Sequence, residues 1–238
     1  MSATVIEIPL ANLALALIPV GLLVALIYRW TDQAPQALYA ISRMLLQLIL
    51  IGYVLTYLFG ADSSPLVIGI LCVMLGAAGW IAIRPLAQRN AKLMYHALFA
   101  IGLSSSATLL LITVWVLGVE PWYEPRTVIP LGGMILASAM NTVSLAAERF
   151  AAEQTRGSSP FDARRTAFQA ALIPLLNSLF AVGLVSLPGM MTGQVLSGVD
   201  PLIAVRYQIM VMCMLTGAAG IAAAVYLKLQ TPGAAHTD

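Results

Sequence analysis

The sequence predicts an all-α, polytopic membrane protein with about seven transmembrane helices, its N-terminus outside and its C-terminus in the cytoplasm. Three observations carry this reading. First, 60% of the 238 residues are hydrophobic and only 9% are charged, against about 25% charged in a soluble domain. So little polar surface cannot face water on all sides, and lipid must solvate much of the chain. Second, the charges are separated by apolar runs close to the roughly 20 residues that a helix needs to cross the hydrocarbon. Third, the cations fall almost entirely on one side of those runs.

The expected spans, in order, are 8–27, 39–59, 66–83, 97–117, 128–146, 166–187 and 204–227. Arg43 lies in the second and Arg206 in the last, and the other five are free of charge. The stretch before the first span, MSATVIE, has no Lys or Arg, whereas a secretory signal begins with a basic region. The first span therefore reads as a retained helix. Short connections imply antiparallel neighbours and one domain over 1–238, with no soluble module. The tail after Lys228 reads as frayed.

Arg29, Arg84, Arg89, Lys92, Arg149, Arg156, Arg164, Arg165 and Lys228 share one side if the N-terminus is outside. The opposite loops hold Arg126, with Arg206 just inside a helix. The positive-inside rule then sets the orientation. Tyr28, Trp30, Trp80 and Tyr95 on the inner side fit an interfacial aromatic belt, as do Tyr57, Phe59, Trp122 and Tyr123 on the outer side.

Several function classes drop out. A net charge of +2 gives no reason to expect nucleic acid. The chain has no GxxxxGK[ST] phosphate loop, so it does not bind ATP by that route, and it has neither HExxH nor GxSxG. The histidines are His96, at a helix start, and His236, in the tail. Cys72 and Cys213 lie within spans and read as buried structural thiols. No catalytic constellation emerges, and an enzyme is not expected.

Two connections stand out. Residues 146–169 read AAERFAAEQTRGSSPFDARRTAFQ. Gly157 ends one helical stretch. Ser159 caps the next, Pro160 suits its first position, and Asp162 follows three residues after the cap. A short helix displaying Phe161, Arg164 and Arg165 would then stand between two membrane helices. Its alternatives are a partner-docking surface and an ordinary basic loop that sets topology. The second connection, about 187–201 within SLPGMMTGQVLSGVDP, has no charge until Asp200. Pro188 and Gly189 are expected to stop the sixth helix, and Asp200 with Pro201 to start the seventh. Non-helical backbone at membrane depth must be covered by protein or line a cavity. Pro188, Gly189, Met190, Met191, Thr192, Gly193 and Gln194 thus read either as a gate or pathway wall or as a compact turn. Met190 and Met191 are weak metal candidates, because adjacent side chains point to different sides.

The run LIPLLNSLFAVGLVSLPGMMTGQVLSGVDPLIAVRYQIMVM at 172–212, with SRMLLQLILIGYVL at 42–55 and the Ser159-Pro160 loop, resembles the FetB-like (YbbM) permeases. These are membrane subunits of a small ABC-transporter family associated with iron export and metal homeostasis in bacteria. The family also includes plant aluminium-tolerance proteins. The resemblance covers most of the chain. It implies a single permease domain in the bacterial inner membrane and a homodimer paired with a separate FetA-like cytoplasmic ATPase. ATP and Mg would be held by that partner and no cofactor by this chain. It further implies that about 147–166 is the coupling segment, with Ser159, Pro160, Phe161, Asp162, Arg164 and Arg165 facing the ATPase.

The remaining pathway candidates are the polar groups within spans: Asn141, Asn177, Arg206 and Gln208, beside Asn12, Gln47 and Ser104 to Ser106. Intramembrane ionisable groups are functional candidates by default, but Arg43 and Arg206 lie near helix ends, where anchoring competes. Asn141 and Asn177 lie deeper, where a hydrogen bond between helices competes. Export of an organic or sugar-linked solute fits the same residues, and a non-transporting scaffold or sensor subunit is the reading from another class. CVMLGAAG at 72–79 and CMLTGAAG at 213–220 read as small-residue packing faces, with a parallel repeat as the alternative.

Overall fold

A computed structural model describes residues 8–58 and 63–231. The expectations for Phe59, His236 and the last seven residues of the tail fall outside them. The chain divides into two compact units, Met1–Ala61 and Asp62–Asp238.

The first unit contains α1 (Leu10–Leu15), α2 (Ile18–Trp30) and α3 (Ala34–Leu58). The expected first span is therefore interrupted. Pro19 lies in the first turn of α2 and has no N–H to give back to α1, so the chain tightens at Ala16 and Leu17, whose N–H groups bond to Leu13 and Ala14. Ala34 is this unit's buried apolar residue among the described ones, while Leu22, Leu48, Ile49 and Tyr53 are exposed. Such a hairpin has an apolar surface suited to lipid and almost no core of its own.

The second unit is a bundle of α4 (Ser64–Ala82), α5 (Ala91–Leu110, continued by a π-helical turn at Leu111–Val116), α6 (Pro125–Thr155), α7 (Pro160–Ala181), α8 (Gly189–Leu196) and α9 (Pro201–Gln230). The central helix is α6, which packs on α4, α5, α7 and α9. Its buried residues Val128, Gly132, Ile135, Ala139, Thr142 and Ala146 recur every three or four positions, the stripe of one helical face. On α9 the matching stripe is Ala204, Gln208, Val211, Met214, Ala218, Ala222 and Tyr226. Alanines and glycines dominate the seams because lipid supplies no hydrophobic drive between helices, so close contact must hold them. A β-carbon on Gly132 would stand 2.6 Å from Leu71 Cδ2, and one on Gly79 would stand 2.5 Å from Leu98 Cδ2. In the GAAG run of α4, Ala78 and Gly79 are buried, Gly79 against α5, while Ala77 is exposed and a β-carbon on Gly76 would meet nothing within 4 Å. Ser104 adds a hydroxyl donated to the Ala218 carbonyl of α9.

Six helices are long and apolar enough to cross a membrane among the described residues: those at Ala11–Trp30, Ala34–Val54, Ser64–Ala82, Ala91–Val116, Pro125–Thr155 and Pro201–Gln230. The expected sixth span, 166–187, is not among them. Asp162, Arg164 and Arg165 lie in the first turns of α7, and the helix stops at Ala181. Residues 166–181 extend only about 24 Å as a helix, short of a hydrocarbon core of roughly 30 Å. Ala167 and Ala171 of α7 nevertheless pack near Ala146 and Ala147 at the end of α6. Met190 of α8 lies with Arg126 and Thr127 at its start. The chain therefore passes from one end of the bundle to the other through α7 and the non-helical residues 182–188, rather than through one continuous helix.

The bundle has two distinct ends. The α4–α5 connection, the end of α6, the start of α7 and the end of α9 gather around one core. They bring Arg84, Arg89, Lys92, Arg149, Arg156, Arg164, Arg165 and Lys228 to that end. The opposite end carries Arg126 and Arg206. Cys72 and Cys213 are exposed on α4 and α9, correcting the expectation of buried thiols. Each lies off its helix's buried stripe, where a thiol behaves as a small hydrophobe.

Candidate functional site

At the cation-rich end, α6 closes with Gly157 at φ 84°. The Gly157 N–H bonds to the Gln154 carbonyl at 3.0 Å and the Ser158 N–H to the Glu153 carbonyl at 3.1 Å, the Schellman pattern that glycine allows. Glu153 anchors the corner through Arg149 at 2.7 Å and Arg156 at 3.1 Å. Ser158 Oγ donates to its second oxygen at 3.1 Å. The next helix starts as expected: Ser159 Oγ accepts from the Asp162 N–H at 3.1 Å and donates to the Asp162 carboxylate at 2.6 Å. Pro160 occupies the first turn. Phe161 is 62% exposed, and the Arg164 guanidinium lies 5.0 Å from its ring centroid, a cation–π arrangement. Arg165 is exposed. The expected short separate helix is instead the first turns of α7, continuous to Ala181.

The other end differs from the sequence expectation in detail. Helix α7 stops seven residues before Pro188. Val182 leaves the helix, Gly183 turns at φ 81°, and Val182 pairs with Ser186 in an isolated bridge. Leu184 and Val185 at its tip are 90% and 85% exposed. Pro188 and Gly189 do not stop a helix; they begin α8, with Pro188 at the cap position. The physical reason is that proline and glycine are both tolerated at helix starts, so PG alone does not mark a stop. Thr192 Oγ1 donates to the Pro188 carbonyl at 3.1 Å. Gly193 is exposed. Asp200 caps α9, accepting from the Leu202 N–H at 2.8 Å, as expected.

Two cavities lie within the bundle. One, of about 290 Å³, is bounded by α4, α5 and α6 and is apolar apart from Cys72, Ser105, Ser106 and Thr113. The other, of about 440 Å³, lies at the Arg126 end. Leu117, Val119, Arg126, Thr127, Pro130, Leu131 and Met134 line one side, with Met190 of α8 and Tyr207 and Met210 of α9 opposite. On α8 and α9 the amide oxygens of Gln194 and Gln208 are buried without a hydrogen-bond partner among the described residues, and Gln208 is only 6% exposed. A buried carbonyl left unpaired is costly, and neither amide is among the residues lining the larger cavity.

Of the expected pathway residues, Met190 alone lines this cavity, while Met191, Thr192 and Gln194 are half-buried on α8. Asn141, Asn177 and Arg206 are exposed on α6, α7 and α9, so neither asparagine is turned into the bundle. Both lie off the small-residue stripe that selects a helix's packed face. Sequence reasoning missed Met134, Met210 and Thr127, whose apolar or small polar side chains are indistinguishable from packing residues along one helix.

The model of the family described as "Uncharacterised protein family (UPF0014)" matches residues 10–232. The chain is 37% identical to a UPF0014 membrane protein of Synechocystis, over 90% of this chain and 89% of that one. It is 36% identical to the Escherichia coli protein described as "Probable iron export permease protein FetB", over 77% and 75%. Identity with ALUMINUM SENSITIVE 3 of Arabidopsis thaliana is 32%, over 78% and 72%. No solved structure matches. With matches of this extent and its apolar helices, the chain belongs to the UPF0014 family of multi-pass membrane proteins.

Proposed function

We propose that the chain is the membrane-spanning permease subunit of an ABC-type exporter in a bacterial inner membrane, moving iron or another metal species out of the cytoplasm. The observation that carries this reading is the 36% identity to FetB over 77% of the chain. In this proposal two permease copies work with a cytoplasmic FetA-like ATPase dimer, which holds ATP and Mg. The permease itself hydrolyses nothing and binds no cofactor.

By the positive-inside rule the cation-rich end faces the cytoplasm. There the exposed Phe161, backed by Arg164 and flanked by Arg165, suits an anchor on the ATPase, as aromatic and arginine side chains suit interface centres. Ser159, Pro160 and Asp162 fix the start of the helix that bears it. When ATP closes the ATPases, a push on Phe161 travels along the continuous α7 toward 182–188 and α8. The larger cavity at that end would open or close in response. Its lining of thioethers, hydroxyls and apolar groups suits a metal carried in a complex. The unpartnered amide oxygens of Gln194 and Gln208 favour a second reading, export of an organic solute that carries hydrogen-bond donors.

The test is reconstitution of the permease with its ATPase subunit in proteoliposomes, measuring ATPase rate and flux against Fe(II), Fe(III)-citrate, Cu(I), Al(III) and nucleotide sugars. Stimulation and flux with iron support metal export. Stimulation by an organic solute alone supports the second reading, and ATP-independent behaviour with every solute defeats both.

A further inference from the structure

We propose that Met134, Met190 and Met210 form a binding site for a soft monovalent cation, Cu(I) or Ag(I), in the larger cavity. The three come from three separate elements, α6, α8 and α9, and line one space of about 440 Å³. The chain has 11 methionines in 238 residues, yet three stand among the ten residues lining this cavity. The adjacent pair in the sequence does not make the site. A step of one residue turns a helix by about 100°, and Met191 does not line the cavity. Met190 instead shares the cavity lining with Met134 and Met210, which are far away in sequence.

Thioether sulfur is polarisable and neutral, so it favours soft ions and needs no deprotonation to bind them. Hard divalent ions prefer oxygen and keep their water. Arg126 also lines the cavity. Leu117, Val119, Pro130 and Leu131 make the rest of the wall apolar. Methionine commonly fills irregular gaps in a core; Met134 and Met210 do pack against the core of this end, and all three methionines also border the cavity. The inference stands apart from the proposed export activity, because it concerns equilibrium binding by the permease alone.

The experiment uses the full-length permease in detergent under anaerobic conditions, in a Cys72→Ala/Cys213→Ala background so that thiols do not compete. Cu(I) is presented by a chromophoric chelator and the bound metal is examined by X-ray absorption. The expected result is one Cu(I) per chain with sulfur neighbours. Met134→Leu/Met190→Leu/Met210→Leu should lower affinity by more than the roughly 10–100-fold typical of changes behind the ligands, while Met191→Leu leaves it unchanged. Leucine is close to methionine in volume, so the fold should survive; each single Met→Leu variant gives the same test if the triple variant does not fold. Absence of binding, binding that survives loss of the three sulfurs, or a shell of oxygen and nitrogen alone would overturn the site. Binding without ATP-driven Cu(I) flux would leave the site standing, because the proposal concerns equilibrium binding alone.

Discussion

Two corners of the bundle use the same backbone device and are held very differently. At GSSP, residues 157–160, and at GVDP, residues 198–201, a left-handed glycine closes one helix in a Schellman pattern. Two residues later a polar cap precedes a proline that opens the next helix. At the first corner, side chains add a second layer: Arg149, Arg156 and Ser158 converge on Glu153, and Ser159 and Asp162 bond to each other. At the second, Asp200 caps its helix and Val199 stands where Ser158 stands in the first. The first corner is thereby braced by side chains as well as by its own backbone. The second is held chiefly by its own backbone and joins α8 to α9. Local hydrogen-bond rules make both turns; the surrounding side chains add ion pairs to the first alone among the described residues.

The largest test of that contrast is at the exposed ring. Phe161→Ala should weaken binding of the ATPase subunit by about 30-fold, the scale of a buried aromatic anchor, while Val199→Ala leaves it unchanged; surface-captured permease titrated with ATPase reads both. Equal effects would erase the distinction. Next, Gly157→Val and Gly198→Val should each cost about 1–2 kcal/mol, because both glycines hold positive φ that a side chain resists. Thermal unfolding in detergent checks this, and a large inequality would mean the two turns are not the same device. Ser159→Ala should lower stability by about 1 kcal/mol through loss of its cap, and Asp200→Ala by a similar amount. Ser159→Ala should be the more costly of the two, since it also removes the bond to Asp162. The smallest effect is Glu153→Gln, about 0.5 kcal/mol, measurable as a melting difference that shrinks as salt rises. The GVDP corner, without ion pairs in the described structure, should show no such salt dependence.

The sequence by itself determined the membrane setting, most of the helix starts and the gathering of charge at one end. These are properties of short stretches: apolar length, a cap with its proline, a basic residue beside a span. That is why Ser159, Asp200 and Gly157 were legible before any coordinates. Only the tertiary structure decided that 166–187 is not one helix. The one breaker near Ala181 is Gly183, and an isolated glycine is also tolerated inside a helix, while Pro188-Gly189 is compatible with either the end or the start of one. Likewise Asn141 and Asn177 look like interior polar groups in one dimension, but the alanine stripes of α6 and α7 select other faces for contact. The larger cavity was hidden for a related reason. Met134, Met190 and Met210 lie on separate helices, and their meeting depends on α7 and 182–188 carrying the chain back along α6. No local pattern encodes that return, because it is fixed by packing between helices rather than by the preference of any one of them.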